Sequence, residues 1–323
     1  MKNVLLIVPQ YFGYETYIAK EIERLGYRVY PIYENLAHFD YKYRFLSNYC
    51  KNVIPKYERK YYYKQLDLVK DDIDYVLVIR GSSLSEEIME RICSLYPKAK
   101  KVMYQWDSVR NNPKAGLIAR YFDSISTFDV EDANRLEWKY RPLFYIGDFC
   151  LDSEKTVDFA CVTSFQPNRV KLANRIEEIS QNSGLKTYIY IFIPFITVFR
   201  HKYLMHDANF KDLNYKLYSK SIGIEQTNDI YNKSRIVVDF TPSSQNGFTM
   251  RTIESIGHRC KLITNNTKVL EADFYDPQNV FVYDECAELN IPEEFLATDY
   301  KSLSDEVYKS YSLSSFVSDL LTV

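Results

Sequence analysis

The sequence predicts an α/β protein built from two parallel-sheet units in tandem, and three observations carry that expectation. Short apolar runs alternate with amphipathic stretches, turn residues separate them, and the whole pattern starts again near residue 157. In the first half, "NVLLIV" (3–8) reads as a strand that leads through "PQYFGYE" into the helix "TYIAKEIERLG", closed by Gly26. "YRVYPIY" (27–33) is the second strand and "DYVLVIRG" (74–81) the third. After it comes "SLSEEIMERICSLYP", a helix for which Ser83 or Ser85 supplies the cap. "KVMYQWDS" (101–108) and "SISTFD" (124–129) continue the series.

In the second half, "DFACVTS" (158–164) repeats the strand-to-loop form of the N-terminus, and "PNRVKLANRIEEISQNSG" (167–184) is its helix. "KTYIYIF" (186–192), "RIVVDF" (235–240), "CKLITN" (260–265) and "VFVYD" (280–284) supply further strands. The boundary is expected near "GDFCLDSEKTV" (147–157), giving units over 1–150 and 151–300 and a helical tail over 301–323. Ligands of such parallel sheets bind outside the carboxyl ends of the strands, so two Rossmann-like domains facing across a cleft are the expected architecture.

Bulk composition narrows the function classes. The 323 residues suit two domains, 46% apolar residues suffice for real cores, and the net charge of −2 argues against a nucleic-acid binder. Thirty tyrosines, many beside Lys or Arg as in "KYERKYYYK" (56–64), read as a compositional bias that places tyrosine on the surface. Six cysteines form no C-x-x-C pair and read as reduced thiols, and four dispersed histidines offer no zinc site, so no metal is expected. The N-terminus has no signal-peptide pattern and no run reaches eighteen apolar residues, which predicts a cytoplasmic protein.

The segment with the most chemistry is "NGFTMRTIESIGHRCKLITNN" (246–266), which follows the apolar "RIVVDFTP". A strand, a polar loop and a helix start present unpaired backbone N–H groups and the positive end of a helix dipole, which suits an anion. Arg251 adds a planar, permanently charged fork on the first turn, and Glu254 lies one turn further along the same face. The competing readings are a salt-bridged Arg251 and a solvated Glu254. His258 reads as structural.

Together with "YQWDS" (104–108), "FDSISTFDVEDANR" (122–135) and "VDFACVTSFQPNR" (157–169), this segment resembles the GT-B glycosyltransferases of bacterial lipopolysaccharide and capsule biosynthesis related to the CgeB-like group. The resemblance spans most of the chain and is most specific at 246–266. It implies a nucleotide-sugar donor held by the C-terminal domain without an essential metal or other cofactor, and a glycan or lipid-linked glycan as acceptor. It places Gly247, Phe248, Thr249, Met250 and Arg251 at the diphosphate and Glu254 at the ribose hydroxyls, with Arg169 reaching the phosphates from its own helix start. Asn246 departs from the pattern, because retaining members often carry a Glu at that place.

An inverting transfer requires a general base on the acceptor side. Asp107, at a strand's carboxyl end, is the first candidate and Glu15, in the first strand-to-helix loop, the second. The alternative for Asp107 is a helix cap or a pair with Arg110. Gly13, Arg80 and Arg110 are expected to line the same cleft, although Gly13 also suits a plain turn and Arg80 a snorkelling edge position. Finally, "IPFITVFRHKYLMHDANFK" (193–211) has aromatic residues at helical spacing beside Arg200, His201 and Lys202. That pattern suits a short helix at the inner face of a membrane, or aromatics packed into the C-terminal core.

Overall fold

The computed structural model describes residues 1–34, 51–147, 153–194, 217–242 and 246–322. Apart from Ile193 and Pro194, the segment proposed as a membrane-facing helix lies outside the described residues. The described residues form two compact units, each organised around its own six-stranded sheet.

The first unit comprises Met1–Leu143, the short stretch holding Asn246 and Gly247, and the C-terminal Leu313–Val323. Its strands are β1 (Lys2–Val8), β2 (Tyr27–Tyr33), β3 (Tyr75–Ile79), β4 (Lys100–Gln105), β5 (Ser124–Thr127) and β6 (Lys139–Tyr140). They are all parallel, in the order β2-β1-β3-β4-β5-β6. Val4 to Val8 and Val76 to Ile79 are wholly buried, as central parallel strands covered by helices on both faces must be. That double burial is why these strands read as unbroken apolar runs rather than alternating ones. Ser85 is the cap of the helix after β3, its Oγ accepting from the Ile88 amide at 3.3 Å. The helix Ile54–Leu68 also covers this sheet and has no counterpart in the sequence reading, because its tyrosines and lysines mask the apolar stripe of Tyr62 and Leu66.

The second unit takes Phe144–Ser244 and Phe248–Ser312. Its strands are β7 (Val157–Ser164), β8 (Thr187–Phe192), β9 (Leu217–Tyr218), β10 (Ser234–Asp239), β11 (Lys261–Thr264) and β12 (Val280–Val282), parallel in the order β12-β11-β10-β7-β8-β9. Phe159, Cys161, Ile176, Ile236, Val238 and Ile263 form the centre of its core.

The sequence treats 301–323 as one tail, and the structure divides it. Tyr308, on the helix Asp305–Ser310, donates its hydroxyl to the Gly257 carbonyl within the second unit at 2.9 Å. The next helix, Leu313–Leu321, belongs to the first unit, where Phe316 packs edge-on against Tyr104 (centroids 4.6 Å apart) and Asp319 pairs with Arg141 at 2.7 Å. Buried aromatic packing of this kind is worth on the order of 1 kcal/mol beyond its area, so the last helix is anchored rather than appended.

In each sheet the chain reverses its direction of strand addition once. The reversal falls between β1 and β3 in the first unit and between β7 and β10 in the second. Crossover helices leave in opposite directions at such a point, which opens a crevice at the carboxyl ends of the two strands.

Candidate functional site

At the β7/β10 crevice the chain brings together three charges, two of them buried. Asp239 is the last residue of β10, and Arg251 lies on the first turn of the helix Met250–Gly257. Arg251 donates from Nε to Asp239 Oδ1 at 2.6 Å, with the arginine side chain 17% exposed and the aspartate fully buried. The other carboxylate oxygen, Oδ2, accepts from the hydroxyls of Thr249 (2.7 Å), Thr252 (3.2 Å) and Thr241 (3.3 Å). Burial alone would push the Asp239 pKa up. Arg251, with the hydrogen bonds, outweighs that and holds it below the usual carboxylate range. Thr249 also caps its helix, its Oγ1 accepting from the Thr252 amide at 3.2 Å. The first amides of the helix have no intrahelical acceptor, by the geometry of any helix start.

Arg169 is the third charge. It sits on the first turn of the helix Pro167–Ser183, directly after β7, and its Nη1 donates to Ser164 Oγ at 2.8 Å. Its side chain is buried, yet Nε has no hydrogen-bond partner among the described residues. Burial first, and then the nearby charge of Arg251, push its pKa down to about 10. Arg251 thus holds the carboxylate, while Arg169 lies near both charges without a carboxylate contact among the described residues and keeps an orphaned donor in a low-dielectric crevice. Such an arrangement is costly by itself and is relieved by an anion.

The other residues expected at the diphosphate have different surroundings. Phe248 is buried against Phe274 (centroids 5.2 Å apart), which in turn packs against Tyr311, so its role is in the core. Met250 is half-buried at the helix start. Gly247 packs against Phe128 so closely that an added Cβ would lie 2.4 Å from the ring and 2.5 Å from its carbonyl oxygen. Gly247→Ala is therefore expected to cost roughly 1–3 kcal/mol by overpacking, read as a lowered thermal midpoint. An unchanged midpoint would show that the loop simply gives way. Asn246 donates to Glu131 Oε2 at 2.5 Å. Glu254 is buried rather than solvated, beside the Tyr231 phenol, whose pKa is driven well up by burial and then by Glu254. His258 is fully buried, with its ring nitrogens 3.0 Å from Asn232 Oδ1 and Asn228 Oδ1. Burial and nearby Lys155 push its pKa down to about 4.

At the β1/β3 crevice a second polar group is assembled. Arg80 follows β3 with a left-handed backbone (φ 75°), and Phe12, in the loop after β1, is also left-handed (φ 55°). Non-glycine residues held this way concentrate at functional sites. Arg80 Nε lies 2.8 Å from Asp107 Oδ2, off the hydrogen-bond line, so the contact is an ion pair without an aligned hydrogen bond. Its Nη1 donates to the Tyr11 hydroxyl at 2.5 Å, and Tyr11 lies 6.3 Å from Trp106, ring centre to ring centre. Asp107 therefore pairs with Arg80. It neither caps a helix nor joins Arg110, which is exposed. Gly13 has a positive φ of 95° and forms the N-terminal cap of the helix Tyr14–Arg24, and Glu15 sits on that helix's first turn with a buried Oε2 that finds no partner among the described residues.

Two acids at these strand ends escaped the sequence reading, Asp239 and Glu34. Asp239 closes an apolar run and reads there as part of the strand. Glu34 follows β2, is only 1% exposed, and accepts from Ser82 Oγ at 3.3 Å through Oε1. The available signal was position alone: a carboxylate directly after a buried parallel strand.

No protein-family model matches the chain, and no curated protein matches its sequence. Solved structures do match its fold. The chain is similar to the UDP-GlcNAc 2-epimerase of Methanocaldococcus jannaschii, determined with UDP-GlcNAc and UDP (TM-score 0.56, 13% identity, 100% of this chain and 99% of that one). It is also similar to the catalytic domain of starch synthase IV from Arabidopsis thaliana, bound to ADP and acarbose (TM-score 0.53, 10% identity, 99% of each chain). A glycosyltransferase from Rickettsia africae matches with TM-score 0.51 at 13% identity, over 99% of this chain and 98% of that one. The fold is accordingly the two-domain, Rossmann-like GT-B fold.

Proposed function

We propose that the protein is a glycosyltransferase that moves a sugar from a nucleotide-sugar donor to a growing cell-surface glycan. The observation that carries this reading is the pair of arginines at the β7/β10 crevice, Arg251 on the buried Asp239 and Arg169 buried with a guanidinium N–H that has no partner among the described residues. A nucleoside diphosphate supplies the missing negative charge. As the bond from the sugar to the diphosphate breaks, Arg169, Arg251 and the helix-start amides stabilise the charge that develops on the departing phosphate. Glu254 accepts from the ribose hydroxyls. Asp107, held by Arg80, takes the proton of the attacking acceptor hydroxyl, with Glu15 as the alternative base. No metal or other cofactor is assigned a role.

A second reading is a nucleotide-sugar epimerase, favoured by the match to the M. jannaschii enzyme over the whole of both chains. Both readings require the nucleotide site, and they part on whether donor turnover needs an acceptor. No helix among the described residues is long and apolar enough to cross a membrane.

A thermal-shift panel of nucleoside mono- and diphosphates tests the shared site, because a ligand that binds only the native state raises its stability. Arg169→Gln is the informative variant. Arg251→Ala would leave Asp239 buried without its partner, whereas Arg169 holds no carboxylate directly and only adds a second positive charge. The variant is expected to keep or raise the ligand-free thermal midpoint and to weaken UDP or ADP binding by about tenfold to a hundredfold, the scale of one charge-assisted phosphate contact. Unchanged affinity for every nucleotide that shifts the wild type would exclude Arg169 from the site.

A further inference from the structure

Trp106 follows β4 directly, at the carboxyl end of the strand, between the buried Gln105 and Asp107. We infer that it is the platform on which the acceptor sits: its ring takes one face of a pyranose, and Asp107 and Arg80 beside it take the sugar's hydroxyls. The inference rests on the proposed sugar transfer for calling that sugar the acceptor, but its geometry stands independently.

Trp106 is half-buried, and its ring faces are uncommitted. Among the described residues its ring neighbour is Tyr11, tilted by 42° with the centroids 6.3 Å apart. Rings that use their faces on each other look different: Tyr190 and Tyr218 lie 4.0 Å apart and within 10° of parallel. Tyr11 has Arg80 over its ring, the guanidinium 5.4 Å from the centre, whereas no cation lies over Trp106 among the described residues. The indole N–H likewise finds no acceptor there. Next to Tyr11 in the chain, Phe12 is 56% exposed on a left-handed backbone. Aromatic surface left in water costs free energy that the apolar face of a ligand offsets.

Beside the rings stand groups of the opposite kind. Arg80 and Asp107 keep 22% and 36% of their side chains in water, and their 2.8 Å contact leaves Asp107 Oδ1 without a hydrogen bond among the described residues. A carboxylate accepts from neighbouring hydroxyls, and a guanidinium and an indole N–H donate to them. A pyranose meets both demands, with C–H groups on one face and hydroxyls around its rim. A purely apolar ligand would strip water from Arg80 and Asp107 without replacing it. A nucleotide would bring its phosphates towards the like charge of Asp107.

The probes are methyl β-glucopyranoside, methyl β-galactopyranoside and N-acetylglucosamine, with sorbitol as a polyol that lacks the ring and uridine as a nucleoside. The chain has two tryptophans, so Trp138→Phe leaves Trp106 as the sole emitter. In that background, without nucleotide, at least one pyranoside is expected to shift the emission saturably, while sorbitol and uridine do not. Saturation-transfer NMR on the unaltered protein should place the strongest transfer on the ring hydrogens of one sugar face. Trp106→Ala should weaken binding by about tenfold or more, the scale of losing a central aromatic anchor, and Trp106→Phe should restore part of it. Asp107→Asn should weaken binding as well, yet keep the one-face NMR pattern. No response to any pyranoside overturns the inference, as does a response shared by sorbitol or confined to uridine. Binding that Trp106→Ala leaves unchanged overturns it too. If Trp106→Ala does not fold, the emission and NMR pattern with Trp106 in place decide the outcome. Sugar binding with a silent nucleotide panel would keep the platform and remove the transferase, whereas nucleotide binding without sugar binding would remove the platform and keep the nucleotide site.

Discussion

Asp239→Asn is expected to destabilise the second unit by roughly 3–5 kcal/mol, the usual cost of removing one partner of a buried ion pair. The carboxylate is fully buried and serves Arg251 and three threonine hydroxyls at once. Asparagine keeps the shape and one acceptor oxygen but not the charge, so Arg251 loses its paired carboxylate while the positive charge of Arg169 stays nearby. Two further results should accompany the loss. Pyrophosphate or UDP should raise the thermal midpoint of Asp239→Asn by more than it raises the wild type, because an anion replaces the missing charge. Adding Arg169→Gln should recover part of the stability, an interaction visible in a double-mutant cycle. The wild-type protein should show the same dependence on pH. The Asp239 pKa is depressed, so its contribution is present above the ordinary value of 3.8 and is lost as pH falls through the lower folded value. A loss below about 1 kcal/mol, with no rescue by anion, would mean that the site does not concentrate charge.

Glu34→Gln should act in the opposite sense and only at one end of the pH range. The folded state holds the Glu34 proton up to about pH 7, against an ordinary value of 4.5. Below 4.5 both states are protonated and the group's contribution is fully present. Between 4.5 and 7 the unfolded chain releases its proton and the folded one keeps it, so stability falls as pH rises. The integrated loss is about 3 kcal/mol by neutrality, and no more accrues above it. The substituted glutamine carries no charge to bury and can still accept from Ser82. The variant is therefore expected to match the wild type near pH 4.5 and to exceed it by up to that amount at about pH 8. The measurement is the difference in thermal or urea midpoints between the two proteins across pH. Parallel profiles would show that the carboxylate is ionised in the folded protein at neutral pH.

Both predictions concern residues that a reading of the sequence passed over, and the reason is the same for both. The sequence determined the elements, because the information for them is local. A parallel strand buried on both faces is an unbroken apolar run, as "NVLLIV" and "DYVLVI" show, and helix starts announce themselves through neighbours such as Ser85 and Thr249. The series of strands and helices, its restart near residue 157, and the helix start that carries Arg251 and Glu254 all followed from spacing. Partnership did not, because it depends on which strand ends lie side by side. Asp239 and Arg169 are brought near each other only by the β7/β10 pairing, Arg80 and Asp107 are joined only by β3 beside β4, and Glu34 meets Ser82 across 48 residues. The tertiary structure alone decided that Arg251 faces a buried carboxylate, that Phe248 belongs to the core, and that the last helix joins the first unit. Charge and burial are properties of such juxtapositions: an aspartate ending an apolar strand is an ordinary residue until an arginine and three threonine hydroxyls are folded onto it.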